Sequence, residues 1–257
     1  MMVDMIRRYR ILLISLLVTS LIAGLKYWLH ALGWEMLTLG SLHTGVVTGT
    51  FFVVGFLLST TIADYKESER MVPEFASVLE NMHEDGQSIA ANYPKFKYEP
   101  FRKQLLAVAE SFANDVRHKN FQARFELHDL TSAFIAMEKA GVPANFIVKL
   151  KQQQAQLLRI LARVSYIQNI RFIPSATILS RIIIPLTAGL LLFTEIEPFY
   201  GGMAIAAIIT LILTYILLLI ETISTPFQQA GKTKDDISLF LVDETARHLQ
   251  KDAQLDS

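Results

Sequence analysis

The sequence predicts an all-α membrane protein with four transmembrane helices and a cytoplasmic helical region between the second and third. Three observations predict it. Four long runs carry almost no charge. The composition is 52% hydrophobic and 19% charged, with a mean hydropathy of +0.35, whereas soluble domains carry about a quarter charged residues. The polar stretches show apolar residues at helical spacing and no strand alternation.

The first run extends from Ile11 to Leu25 and past Lys26 to Leu29. Arg7, Arg8 and Arg10 precede it, as in a secretory signal, but Leu25-Lys26-Tyr27-Trp28 is too bulky for a cleavage site. It reads as a retained anchor. The second run, Leu37 to Ala63, holds no Asp, Glu, Lys or Arg. The third runs from Ala176 through Arg181 to Thr194, and the fourth from Gly201 to Ile220. About 20 apolar residues cross a bilayer. The second and fourth runs meet this outright. The first and third require Lys26 and Arg181 to snorkel, or to face protein or water.

Orientation follows from the basic residues. The short loops near 30–40 and 195–200 hold Glu35, Glu195 and Glu197 but no Lys or Arg. The positive-inside rule puts both termini and the long middle stretch in the cytoplasm of a multi-pass cell-membrane protein. Trp28, Trp34, Phe199 and Tyr200 then mark the outer boundary. The expected organisation is residues 1–63 for the N-terminal segment and helices 1–2, 64–175 for the cytoplasmic region, 176–222 for helices 3–4, and 223–257 for a cytoplasmic tail.

In the middle region, Leu105 to Val116 carries a helical apolar stripe, and so do Leu127, Leu130, Phe134 and Met137. A third stripe comprises Phe146, Leu150, Ala155, Leu158, Leu161, Val164 and Ile167. Breaks are expected at Pro73, across Tyr93–Pro100 and at Gly141-Val142-Pro143. The expectation is three or four helices continuing out of the second membrane helix and into the third.

Little in the chain suggests catalysis. Bases and acids balance, 24 against 24, giving no electrostatic reason to bind nucleic acid. The absence of cysteine excludes disulfides, thiolate metal sites and a cysteine nucleophile. The six histidines lack paired ligand spacing. Gly231-Lys232-Thr233 resembles the end of a phosphate-binding loop, but Pro226 stands where its first glycine should be. No enzyme activity, cofactor or metal is expected. Arg181 and Glu221 lie toward the same side of the bilayer and could form a structural pair between the third and fourth spans.

The second run offers a different kind of site. Ser41, Thr44, Thr48, Phe52, Phe56, Ser59 or Thr60, and Ala63 follow one another at helical steps. A stripe that is polar, then aromatic, then polar suits a water-filled axis better than lipid. The plainer alternative is that Phe52 and Phe56 pack into neighbouring helices.

The segment Phe52-Val53-Val54-Gly55-Phe56 resembles the neck of the bestrophin family, pentameric ion channels with four membrane helices per subunit. Two further segments agree in order. Ile173-Pro174, followed by Leu179 and Arg181, resembles the family's Ile-Pro start of the third helix. Pro226-Phe227 resembles its Asn-Pro-Phe-Gly segment, with Thr225 and Gln228 replacing asparagine and glycine. The resemblance spans about 40–245 and is nearer to compact bacterial members. It implies a homopentamer whose neck positions fall on Thr48, Phe52 and Phe56, with Ser41, Thr44, Thr60 and Asp64 as pore-mouth candidates and Pro226 and Phe227 as a tail anchor. Its implied partners are further copies of itself, the lipid bilayer and small permeant inorganic ions, with chloride or another anion favoured. A cation-selective channel of the same fold and a non-conducting membrane scaffold or signalling protein are the alternatives. The calcium clasp of animal members is reduced here to Asp235 and Asp236, so the resemblance lends calcium gating no support.

Overall fold

The computed structural model describes residues 2–169, 174–227 and 237–255, with the side chains of 9–169, 178–227 and 237–251. Among them are eight α-helices and two short strands. In chain order these are α1 (Met2–Ala31), β1 (Leu37–Thr38), α2 (Ser41–Asn92), α3 (Tyr98–His118), α4 (Gln122–Lys139), α5 (Ala144–Asn169), α6 (Pro174–Phe193), β2 (Thr194–Glu195), α7 (Phe199–Ile223) and α8 (Phe240–Leu255). The chain divides into two compact units, and α2 contributes residues to both.

The first unit contains α1, α2 as far as Tyr65, α6 and α7. Its small core joins Val54 and Leu57 of α2, Ile184 of α6, and Leu213 and Ile220 of α7. Elsewhere these helices turn Leu17, Leu21, Leu186, Ile205 and Ile208 outward. Apolar residues exposed around a helix mark a lipid-facing element. Among the described residues, three helices contain segments long and apolar enough to cross a membrane, in Tyr9–Ala31, Ser41–Asn92 and Phe199–Ile223; Ile178–Phe193 is a shorter apolar stretch. The helix around that stretch has 20 residues, about 30 Å at 1.5 Å per residue.

Two polar ties hold this unit. Thr50 Oγ1 of α2 lies 2.8 Å from Thr187 Oγ1 of α6, and each also lies within hydrogen-bond reach of its own preceding turn, at Val46 O and Ile183 O. A hydroxyl has one proton. One threonine therefore donates to its own helix and accepts from the other, which donates across. The second tie is Lys26. Its side chain is 2% exposed, so it neither snorkels nor faces water. Its ammonium donates to Leu191 O at 3.1 Å, Thr194 O at 2.8 Å and Glu35 Oε1 at 2.8 Å. Leu191 belongs to the last turn of α6, whose carbonyls have no intrahelical partner, and the negative helix terminus favours a cation. Lys26 thus caps α6.

The loops contain a feature with no sequence signal: a parallel bridge pairing Leu37 with Thr194 and Thr38 with Glu195. Two residues per strand are too few to create a period-two pattern.

The second unit comprises α2 from Lys66, α3, α4, α5, Pro226-Phe227 and α8. Phe75, Leu79, Met82, Phe101, Leu105, Phe112, Leu130, Phe134 and Met137 are buried. The rings of Phe75 and Phe112 stack at 3.8 Å. Asp115 of α3 accepts the backbone N–H groups of Gln122 and Ala123 at 3.0 and 2.8 Å, capping the start of α4 from the neighbouring helix. The expected stripes of α3 and α4 are buried. That of α5 is only partly so: Leu150, Leu161, Val164 and Ile167 are inside, whereas Phe146 and Leu158 are exposed and Ile147, Leu157 and Ile160 are buried.

The break expected at Pro73 is absent, because α2 continues through it to Asn92. Proline removes one N–H bond and crowds the preceding turn. Here Pro73 is exposed while Val72, Phe75 and Ala76 are buried, and this packing keeps the chain helical. Pro100 sits in the first turn of α3, where its missing N–H is tolerated. Gly141, between α4 and α5, has φ +86°, a value glycine adopts without steric penalty.

Candidate functional site

The first part of α2 has two faces. Thr50, Val54, Leu57 and Thr61 are buried, at steps of three and four residues that form one stripe. Ser41, Thr44, Thr48, Phe52, Phe56, Ser59 and Ala63 are exposed. The rings of Phe52 and Phe56 leave 76% and 64% of their residues' surface uncovered. They are one turn apart, about 6 Å along the axis. Helices α6 and α7 cover the opposite face, through Ile184, Leu213 and Ile220.

Thr60 and Asp64 stand differently. Each four-residue step rotates about 40° around an α-helix, so the row from Phe52 has turned about 80° at Thr60 and 120° at Asp64. Thr60 is half-buried and its hydroxyl donates to Leu57 O at 2.9 Å. Asp64 is half-buried and has a partner within the chain. Ser59 and Ala63, rather than Thr60 and Asp64, continue the exposed row.

Arg181 Nε donates to Glu221 Oε1 at 2.7 Å, joining α6 to α7. Pro226 and Phe227 are buried in the second unit, and Ile237 N donates to Pro226 O at 3.3 Å. Leu239 and Val242 beyond them are buried, whereas Phe240 is exposed. Helix α8 packs on α3. Arg117 forms a two-pronged pair with Asp243 at 3.0 and 2.7 Å, and buried Arg102 donates to Leu249 O at 3.2 Å. Ile173, the Gly231-Lys232-Thr233 stretch, Asp235 and Asp236 lie outside the described residues. Among the described residues, no group of three or more His, Asp or Glu could hold a metal ion.

Sequence reasoning missed the cluster around Glu35. Glu35 Oε2 lies 2.6 Å from His30 Nδ1, while Oε1 accepts from Lys26. The His30 ring stacks on Phe199 at 3.8 Å. Burial pushes the Glu35 carboxyl up, but hydrogen bonds and charge from Lys26 and His30 outweigh it and hold the group below its ordinary value of 4.5. The available signal was a lysine inside an apolar run with a glutamate nine residues later.

The architecture matches solved structures. A point variant of a bacterial bestrophin homologue from Klebsiella pneumoniae superposes with a TM-score of 0.79 at 14% identity, covering 93% of this chain and 97% of that one. Another variant of that homologue gives 0.76 at 14% identity, covering 95% and 97%. A crystal structure described as a membrane protein gives 0.79 at 13% identity, covering 93% and 98%. No protein-family model matches the sequence, and no curated protein matches it. With its outward-facing apolar helices, the chain is an all-helical membrane protein that has the fold of the bacterial bestrophin homologues.

Proposed function

We propose that the chain is one subunit of a bestrophin-like homopentameric ion channel in the cell membrane. Four spans cross the bilayer, both termini are cytoplasmic, and the first part of α2 lines the axis. The observation that carries this reading is the exposure of Phe52 and Phe56 on consecutive turns, opposite the face of α2 that packs on α6 and α7. Large aromatic rings left uncovered by their own chain call for another surface. Five copies around an axis supply one.

Rings of Phe52 and Phe56, with Thr48 above them, form an apolar neck. Such a neck blocks ions by excluding water when narrow and conducts when it widens. No charged residue lies between Leu37 and Ala63. Selection in the neck therefore rests on the cost of dehydration and on the positive edges of phenyl rings, which favour small anions such as chloride. Ser41 and Thr44 line the outer approach. Thr60 and Asp64 stand at the inner end, where Asp64 is already partnered within its own chain.

The test is single-channel recording in planar bilayers. Phe52→Ala combined with Phe56→Ala removes the dewetting barrier and should raise conductance or open probability severalfold. A double variant that conducts like its parent would overturn the assignment of the neck. A purified parent that passes no current would overturn the channel.

A further inference from the structure

The second unit contains a concavity that the proposed channel does not use. It has a volume of about 1040 Å³, near the upper end of ligand-site sizes, roughly 300–1,000 Å³. It lies between α4 and α5, with the end of α3 beneath. Its floor is apolar: Phe112, Val116, Leu127, Leu161 and Val164 line it and are buried in the core. Its walls hold Leu158, which broke the burial pattern expected of α5, and Phe125, an exposed ring of α4. Leu158 of α5 is 40% exposed, and Phe125 of α4 is 67% exposed.

Its charge is one-sided. Arg124 and His128 project from α4, and Lys151 and Arg159 from α5. Among the described residues, Arg124, Lys151 and Arg159 find no carboxylate, although Arg163 on the same helix is paired with Glu67. The one acid in the lining, Asp115, has both oxygens committed to the N–H groups that start α4. Gln154 and Gln168 donate to backbone carbonyls, Gln154 at Leu127 O and Gln168 at Val116 O. Asp115, Gln154 and Gln168 are thus satisfied internally, whereas Arg124, Lys151 and Arg159 are left without a counter-charge among the described residues.

We infer that this groove binds a single-chain anionic amphiphile, a long-chain carboxylate. The headgroup sits between Arg124 of α4 and Arg159 of α5, whose guanidinium groups can each grip a carboxylate with two N–H bonds. The chain lies along Leu158 and Phe125 and reaches the floor at Val116 and Val164. A neutral lipid would leave the cations unanswered, and an inorganic anion would leave the aromatic walls in water. This inference does not depend on the chain conducting ions.

The test uses the full-length protein in phosphatidylcholine nanodiscs and the fluorescent probe dansyl-undecanoate. Dansyl emission should rise saturably above that of empty discs. Palmitate should displace the probe, and hexadecanol, which lacks the carboxylate, should do so at least about tenfold less well. Arg124→Gln and Arg159→Gln should each weaken binding about tenfold, whereas Lys103→Gln, on an exposed face of α3, should leave it unchanged. Circular dichroism and elution volume confirm that each variant folds and assembles. Uptake no greater than into empty discs, or equal binding by the arginine variants, would overturn the proposal. So would Phe125→Cys that a bulky maleimide labels only after the assembly is dissociated, since a second copy would then occupy the groove.

Discussion

Lys26 and Glu35 form a buried ion pair in which all three ammonium protons and both carboxylate oxygens find partners. Removing one partner of such a pair typically destabilises by about 3–5 kcal/mol, because the other charge stays buried. Lys26→Met should therefore unfold at lower temperature than Glu35→Gln, which leaves a partner able to accept a hydrogen bond. The carboxyl of Glu35 is held below its ordinary value. Its contribution is complete above pH 4.5 and is lost as the pH falls through the lowered value. Thermal denaturation should find parent and Glu35→Gln well separated at neutral pH and converging in acid. A constant gap across that range would mean that Glu35 contributes shape and not charge. Thr50→Val, by contrast, removes one hydroxyl contact between α2 and α6, worth about 0.6 kcal/mol in membrane helices. Unfolding in mixed micelles should register that smaller loss.

At the scale of elements, α8 is the one whose removal is most informative. It holds to its unit through Val242 and Leu249, the Arg117–Asp243 pair, and the bond from Arg102 to Leu249 O. A chain ending at Phe227 leaves Arg102 short of an acceptor and uncovers apolar surface on α3. It should aggregate, or lose assembly on size-exclusion chromatography; unchanged assembly would make the tail dispensable. The helices themselves were legible from spacing, since Leu127, Leu130, Phe134 and Met137 recur on one face and are buried. Two readings failed for identifiable reasons. Pro73 looked like a stop, yet buried neighbours on the same helix overrode its local preference. The α5 pattern was read offset from the buried face, taking in Phe146 and Leu158 and leaving out Ile147, Leu157 and Ile160, because Leu158 is apolar without being core. Hydropathy cannot distinguish a residue that packs inside from one that lines a groove.

For the molecule as a whole, the proposed topology is directly testable. A protease site inserted at residue 36 should be cut from outside sealed cells and resist cytoplasmic protease; the reverse result would overturn the four-span arrangement. The fold was legible because charge-free runs and helical periodicity are properties of many residues at once. The candidate neck was legible as a stripe on α2. Its exposure was not, since that depends on which face α6 and α7 cover. The ties at Lys26, Thr50 and Asp115 were illegible for a similar reason: each acts on a backbone or hydroxyl group of another segment, and such groups carry no distinctive sequence mark.

The position of Lys26 also bears on the order in which the protein can be made. The carbonyls that receive its ammonium belong to Leu191 and Thr194, more than a hundred and sixty residues later. In the proposed topology, α1 reaches the bilayer during synthesis while those acceptors do not yet exist. An unpaired ammonium in hydrocarbon is expensive, so the nascent first helix must keep this end at the water boundary. Glu35 emerges nine residues after Lys26 and provides an early counter-charge. The lysine can then withdraw from water only once α6 has been translated, and the seating of the first helix becomes one of the last events of membrane integration.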